Sequence, residues 1–459
     1  MPEDQKNKNE MRVFLVLLGL LILTAGPVFA TEPLILEDTK GIYSLRPHLD
    51  VLVDPEHLWD IERVSSPDFS SHFVSGQQNG LLFGKGISSA WVRFTVENKT
   101  KNTREWVLMD PAIFHDQIDL FIRGKDATWT VQTTGDQFPV NQQDFKHRQY
   151  VFRLPIEAGA TQTFYARFVV TTDRWSVGLN LWSLEAFSER DREYQIGFGF
   201  YFVLISVMVL YNFILFFILR DWNYFYYALS MTSVGLIGAI QFGFAREYLW
   251  PDSAPTSIGA LVLMIGIWGL SHGKFMQSLL LTHIHTPRLH KLISVWMGLS
   301  ILITISPFFN LHKPLLLSGM INRYVASYHF LNMLVGILCW RRGYRPARYF
   351  LAGGLVYACG GLLFSLSNLG WISGGFLTRL GVQWGSALEA VLFSLGLPDR
   401  ITLLREQKEA QEAELQTAHN MQMGLMPMEA PQVKGFDISG RCIPASHAQN
   451  TEPLYCIDL

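Results

Sequence analysis

Between Tyr194 and Leu397 one long apolar run follows another, with only short polar breaks between them. The first, Tyr194 to Leu219, contains no charged residue at all. A helix of about 20 such residues crosses a hydrocarbon core roughly 30 Å thick. Further runs fall at about 224–243, 257–281, 290–309, 316–340, 347–369 and 380–397, so the pattern predicts seven membrane spans. One apolar run alone would also suit a buried core helix. A series of them with basic punctuation does not suit a soluble fold.

The basic residues between the runs set an orientation. With the amino-terminal side outside, the inside connections hold Arg220; Lys274, Arg288 and Lys291; and Arg341, Arg342, Arg345 and Arg348. The outside connections hold only Arg246, Lys313 and Arg379, a balance of eight to three. Lys and Arg collect on the cytoplasmic side, so residues before 194 are expected outside and residues after 397 in the cytoplasm. Charged residues make up 17% and aromatics 13%, with a mean hydropathy of +0.18, which fits a membrane protein carrying soluble parts. A net charge of -2 argues against nucleic acid as the main partner. The four cysteines, Cys339, Cys359, Cys442 and Cys456, all lie in or beyond the fifth run. The exported part therefore has no intramolecular disulfide framework and must fold by core burial.

The run Val13 to Leu23 is short for a span and leads to Pro27 and the small-residue site Val28-Phe29-Ala30. Residues 1–30 read as a secretory signal peptide, with an uncleaved anchor helix as the alternative. Glu3, Asp4 and Glu10 are unusual ahead of such a run, and Met11-Arg12 would make a cleaner start. Residues 31–190 are long enough for one exported domain. Val92, Phe94 and Val96 share one face of a strand, and Trp91, Arg93 and Thr95 the other. Phe164 to Val170 and Val177 to Leu181 alternate likewise, and further strands are expected at 105–109, 117–122, 128–132 and 149–154. The fold class is thus an all-β jelly-roll sandwich, then a seven-helix transmembrane bundle over 194–397, then a cytoplasmic helical stalk over 398–427.

A sandwich of this kind can bind a small ligand on aromatic surfaces. Trp175, Trp129 and Trp91 are the candidate stacking residues, and Trp175, in the turn-like TTDRWS, is expected to be exposed. Large aromatics on strands are more often core, and that reading competes at each position. Within the spans, Glu389 lies near mid-depth of the seventh and Arg323 towards the outer end of the fifth. Intramembrane charge is costly and marks either a coupling group or a packing lock. A proton-coupled transporter would use such a group, but would normally show more than one acid at depth. Gly381 and Gly385 on the seventh span, like Gly353-Gly354 and Gly360-Gly361 on the sixth, favour close helix packing. His272, His283, His285 and His290 cluster around one inside connection without metal-ligand spacing, which reads as a solvated loop and predicts no metal site.

The order of parts and three segments carry a resemblance. Gly86 to Asn98 (GISSAWVRFTVEN), Leu210 to Ser230 (LYNFILFFILRDWNYFYYALS) and Gly385 to Arg400 (GSALEAVLFSLGLPDR) resemble the bacterial seven-transmembrane receptors with diverse intracellular signalling modules. The resemblance implies a carbohydrate-binding-like jelly roll outside, a small-molecule or carbohydrate-like ligand, and helices that relay to a variable cytoplasmic output. Pro398 stands where a helix former is expected and predicts a kink.

Past the spans, a heptad frame through Ile401, Leu404, Lys408, Gln411, Leu415, Ala418, Gln422 and Leu425 is apolar at five of eight positions. That is a weak coiled-coil seam, suited to a switchable homodimer, or else a solvated exit helix. The stretch from Ala418 to Ser446, with Met421-Gln422, Leu425-Met426-Pro427 and Pro444-Ala445, resembles the entry to SpoIIE-like Ser/Thr phosphatases, with 428–459 as the start of that domain. In that family a Gly-Gly-Asp segment supplies the first carboxylate for manganese or magnesium. The present sequence reads HAQNTEPLYCIDL there, which predicts a truncated output domain, no catalytic residues and no cofactor. The expectation is an inner-membrane receptor that is not itself an enzyme. A fragment of a membrane-bound phosphatase and a transporter are the alternatives.

Overall fold

Alternating apolar residues in the first third of the chain build two facing sheets, and the apolar runs build helices. The computed structural model describes residues 31–424 apart from 77–80, 84–86, 102–104, 113–114, 171–174, 253–255, 312–318, 369–371, 373–377 and 379. The signal-peptide reading of 1–30 and the phosphatase-like reading of 428–459 lie outside the described residues.

In chain order the strands begin with β1 (Leu34–Leu36), β2 (Ile42–Ser44), β3 (Asp50–Val53) and β4 (Val74–Ser75). Next come β5 (Leu82–Phe83), β6 (Ser89–Asn98), β7 (Trp106–Asp110), β8 (Gln117–Arg123) and β9 (Trp129–Thr134). The series ends with β10 (Tyr150–Leu154), β11 (Thr161–Val169), β12 (Trp175–Ser176) and β13 (Asn180–Ser183). The larger sheet runs β4-β3-β6-β11-β8-β9, with β1 also on β6, and the smaller runs β10-β7-β13-β2. Along β6 and β11 nine residues pair in antiparallel register, with Phe94 opposite Phe164 and their rings stacked at 5.4 Å.

The core lies between the sheets. Val92, Phe94, Phe164 and Leu120 from the larger sheet meet Trp106, Leu108, Phe152 and Leu181 from the smaller one. Each such side chain contributes about 1.5–3 kcal/mol when taken from water, which is how the domain holds without a disulfide. The opposite face of the larger sheet is covered as well. The excursion from β3 to β4 brings Ile61, Val64 and Phe73 over Trp91, Phe121 and Tyr165.

The helices are α1 (Leu184–Leu219), α2 (Trp222–Gln241), the short α3 (Phe244–Tyr248), α4 (Thr256–Leu279) and α5 (Pro287–Ile305). After these come α6 (Met320–Arg341), α7 (Ala347–Asn368) and α8 (Gly381–Gly424). Seven spans are expected from the sequence. Among the described residues four helices, Leu184–Leu219, Ile258–Leu279, Pro287–Phe309 and Ala347–Ser367, are both long and apolar enough to cross a membrane. Along α1, Phe200, Val203, Val207, Leu210 and Phe217 all point outward, an arrangement suited to lipid rather than water. Helices α2, α6 and α8 also place polar groups in the interior, among them Ser230, Asn332 and Gln383. Pro398 lies inside α8, where the helix continues to Gly424.

Candidate functional site

The β domain joins the helical region without a linker. Strand β13 ends at Ser183, whose Oγ accepts from Ala186 N at 3.3 Å and caps α1. Ser183 N also donates to Gly41 O at 2.8 Å, and Leu184 N to Glu105 O at 2.9 Å. The first turns of α1 then pack Phe187 on Val107, Val151 and Trp182 of the smaller sheet. Strand and helix are therefore joined by hydrogen bonds and packing as well as by the chain.

A second tie is made by the segment 135–149 between β9 and β10. Arg246, on α3, is buried, and its Nη2 donates to Gly135 O at 2.7 Å and Phe138 O at 3.0 Å. Its guanidinium also lies 5.1 Å from the Tyr150 ring. Val140 N donates to Pro251 O at 3.0 Å, and Asn141 Nδ2 to Asp252 Oδ1. Gly243 makes this approach possible: its φ is +79°, and a Cβ there would strike the Arg148 carbonyl.

The third tie is ionic. Arg148 is buried, pairs with Asp191 of α1, and stacks over Phe244 at 4.8 Å. His147 Nε2 meets the same Asp191 Oδ1 at 2.9 Å while its Nδ1 accepts from Gln149 N at 3.1 Å. Burial on its own would raise the Asp191 carboxyl, but the His147 hydrogen bond and the Arg148 charge outweigh it and hold it below its ordinary value. Burial pushes the nearby Glu247 carboxyl up and pulls the Arg246 guanidinium down. Four residues of one segment, Gly135, Phe138, His147 and Arg148, are thus held by α1 or by α3.

Residues 194–400 match the family described as 7TM diverse intracellular signalling, and residues 46–183 match the one described as 7TMR-DISM extracellular 2. No curated protein matches the chain. The two matched domains belong to one class, in this order, on either side of the Ser183–Leu184 joint. The chain is a transmembrane receptor with an extracellular sensing domain.

The receptor's helices are tied to one another by buried polar groups that sequence reasoning passed over. Helix α8 presents Ser386, Ala390 and Ser394 on one face, spaced by four. Ser386 Oγ donates to Tyr201 Oη at 3.4 Å, and Asn212 Nδ2 to Ser394 Oγ at 3.1 Å, so α1 and α8 are bonded two turns apart. Tyr227 Oη on α2 donates to Ala390 O. His272 is not part of a solvated histidine loop. It is buried, takes a hydrogen bond on Nε2 from Asn332 Nδ2 at 3.2 Å, and lies 3.5 Å from Ser230 Oγ through Nδ1. Its place on the apolar face of α4, four residues from Trp268, was the signal available in the sequence.

The candidate residues fall in different places in the receptor. Trp175, expected to be exposed, is buried: it stacks on Phe83 at 4.1 Å, and its Nε1 donates to Ile87 O at 2.8 Å. The turn-like neighbours concealed its pairing with β5. Trp91 is fully buried, its Nε1 donating to Asp54 Oδ2 at 3.3 Å under the Ile61–Phe73 cover. Trp129 is half-buried on the edge strand β9, edge-on to Tyr165 at 5.7 Å. Neither Trp175 nor Trp91 offers a ring face to solvent. Glu389 packs its Cγ near Gly353 of α7, where a Cβ would come within 3.2 Å. Gly381 and Gly385 meet Gly360 and Tyr357 so closely that a Cβ on Gly360 would strike the Gly381 carbonyl. Arg323 is exposed in the first turn of α6. Among the described residues no group of three or more His, Cys, Asp or Glu side chains could hold a metal ion.

Proposed function

We propose that the receptor senses a small, carbohydrate-like periplasmic molecule with a β-sandwich of jelly-roll type and relays the bound state through seven helices to the cytoplasm. The observation that carries this is the double tie of segment 135–149, to α3 through Arg246 and to α1 through Asp191. A ligand that prefers one position of that segment biases α1, by no more than its differential affinity for the two states. From α1 the bias passes to α8 through the Tyr201–Ser386 and Asn212–Ser394 hydrogen bonds.

In this reading the bacterial inner membrane holds the bundle, with 31–193 in the periplasm and the stalk in the cytoplasm, following the basic residues. Leu404 and Leu415 of the stalk are exposed, which favours pairing of two chains along that seam. The described residues are assigned no catalytic step and no cofactor. Output of the Ser/Thr phosphatase class, with its manganese or magnesium, would belong to the region around 428–459.

Protease added outside spheroplasts tests the arrangement. It should trim 31–193 and spare 398–424 until the membrane is opened. Cleavage of the stalk in sealed spheroplasts would overturn the proposed orientation.

A further inference from the structure

The stretch Tyr194 to Leu219 carries no charge, and many side chains of α1 point outward. A hollow on that face meets hydrocarbon, because the bilayer core holds no water to fill it. One such hollow is large. A groove of about 740 Å³, within the range of small-molecule sites, runs between α1 and α2 and reaches α3. Gly199, Phe202, Val209 and Phe213 line it from α1, and Leu236 and Ala239 from α2. The spacing 195, 199, 202, 206, 209, 213 puts the α1 lining on one helix face. Gly199 keeps the groove open: a Cβ there would stand in open space, with no neighbouring atom within 4 Å.

The end next to the β domain is different in kind. Gln195 and Tyr248 line it, and Tyr248 is exposed, as aromatic side chains at a membrane surface are. Arg192 stands above this mouth, one turn before Gln195 and about five turns before Leu210, which also lines the groove. Its guanidinium is exposed, and among the described residues no side chain pairs with it. The adjacent Asp191 is already taken up by His147 and Arg148. Below the mouth the groove is lined by no charged residue. An unpaired guanidinium over an uncharged groove complements a phosphate over a hydrocarbon chain.

We propose that a phospholipid from the leaflet on the β-domain side seats here, with its phosphate on Arg192 and one acyl chain between α1 and α2. The occupant is a lipid because hydrocarbon is what this face meets and because the charge lies only at the mouth. Phe244 and Ala245 of α3 also line the groove, and Arg148 stacks over Phe244 at 4.8 Å. The seated lipid therefore packs against the same short helix that holds segment 135–149.

The test uses the full chain, stripped of lipid in a neutral detergent and titrated with palmitoyl-oleoyl phosphatidylglycerol under native mass spectrometry. A diazirine on the acyl chain of the same lipid maps where it lies. One lipid per chain should bind ahead of the rest, with crosslinks at 199–213 and 232–239. Arg192→Gln should weaken that binding about tenfold, the loss of one charge-assisted contact, and Arg192→Lys should weaken it less. Gly199→Leu should fill the groove and remove its crosslinks. Arg192 is exposed, so its substitution keeps the binding readout valid even if Gly199→Leu does not fold. Binding that is unaltered by Arg192→Gln, crosslinks spread evenly over α5 and α7, or displacement by glycerol 3-phosphate, which has no chain, would overturn the site. A Ser206→Cys disulfide between chains that forms with lipid in excess would give the groove to a second copy and overturn it as well.

Discussion

Replacing Arg246 by Met removes the guanidinium from the junction while keeping an apolar stem. Two charge-assisted hydrogen bonds are lost, to the buried Gly135 O and the partly buried Phe138 O. Such bonds contribute about 1.5–3 kcal/mol each. Part of that is offset, because the buried guanidinium carries a desolvation penalty of its own. A net loosening of about 3 kcal/mol follows, on the order of 100-fold in the ratio of docked to undocked segment. Hydrogen exchange followed by mass spectrometry reads it at Val140, whose N–H donates to Pro251 O at 3.0 Å. Exchange over 135–143 should rise by roughly that factor while β6 and β11 keep their protection. Exchange unchanged within about twofold would refute the latch. A uniform rise across the sandwich would refute it equally, since it would mean global unfolding and not local release.

Other consequences can be measured separately. Trp175→Ala should destabilise the β domain by about 3–5 kcal/mol, since the ring is buried against Phe83, and chemical denaturation would report it. Gly243→Ala forces a left-handed residue and a contact with the Arg148 carbonyl, and should lower stability by at least about 1–3 kcal/mol in a thermal melt. The Asp191 carboxyl is depressed, so its contribution is present above its ordinary value and lost as pH falls through its lowered one. Glu247 is raised, so its opposition to docking fades as pH falls through its raised value. Exchange over 135–149 should therefore slow on mild acidification and then quicken below about pH 4, the ordinary carboxylate range. A monotonic pH profile, after correction for intrinsic exchange, would contradict that pair of assignments.

Local pattern made the strands and helices legible, because period 2 and long apolar runs are properties of neighbouring residues. The alternation of Val92, Phe94 and Val96 marks the inner face of β6 directly. The site was not legible for the opposite reason. Arg246 meets Gly135 across 111 residues of chain, and as a sequence feature it is only one basic residue on the outside of the membrane. Its position between Phe244 and Trp250 hinted at burial, but nothing local named the partner. Trp175 misled because exposure was inferred from its polar neighbours, while β5 covers it; Trp91, a candidate stacking surface, is covered by 59–73. Among the helices, the close pairing of Gly360 with Gly381 was readable as small residues at helical spacing. The His272–Asn332 bond was not, since the two residues are 60 positions apart.

The central claim is that the position of segment 135–149 reaches α8. Asn141 and Asp252 touch side chain to side chain, so Asn141→Cys with Asp252→Cys, in a background without native cysteines, can be locked by a short bis-thiosulfonate crosslinker through a disulfide at each end. Hydrogen exchange over 401–424 is then compared in the locked and reduced receptor in nanodiscs. The account predicts a change in stalk exchange on locking that reducing agent reverses. Identical stalk exchange in the two states, with the crosslink shown to be complete, would contradict it.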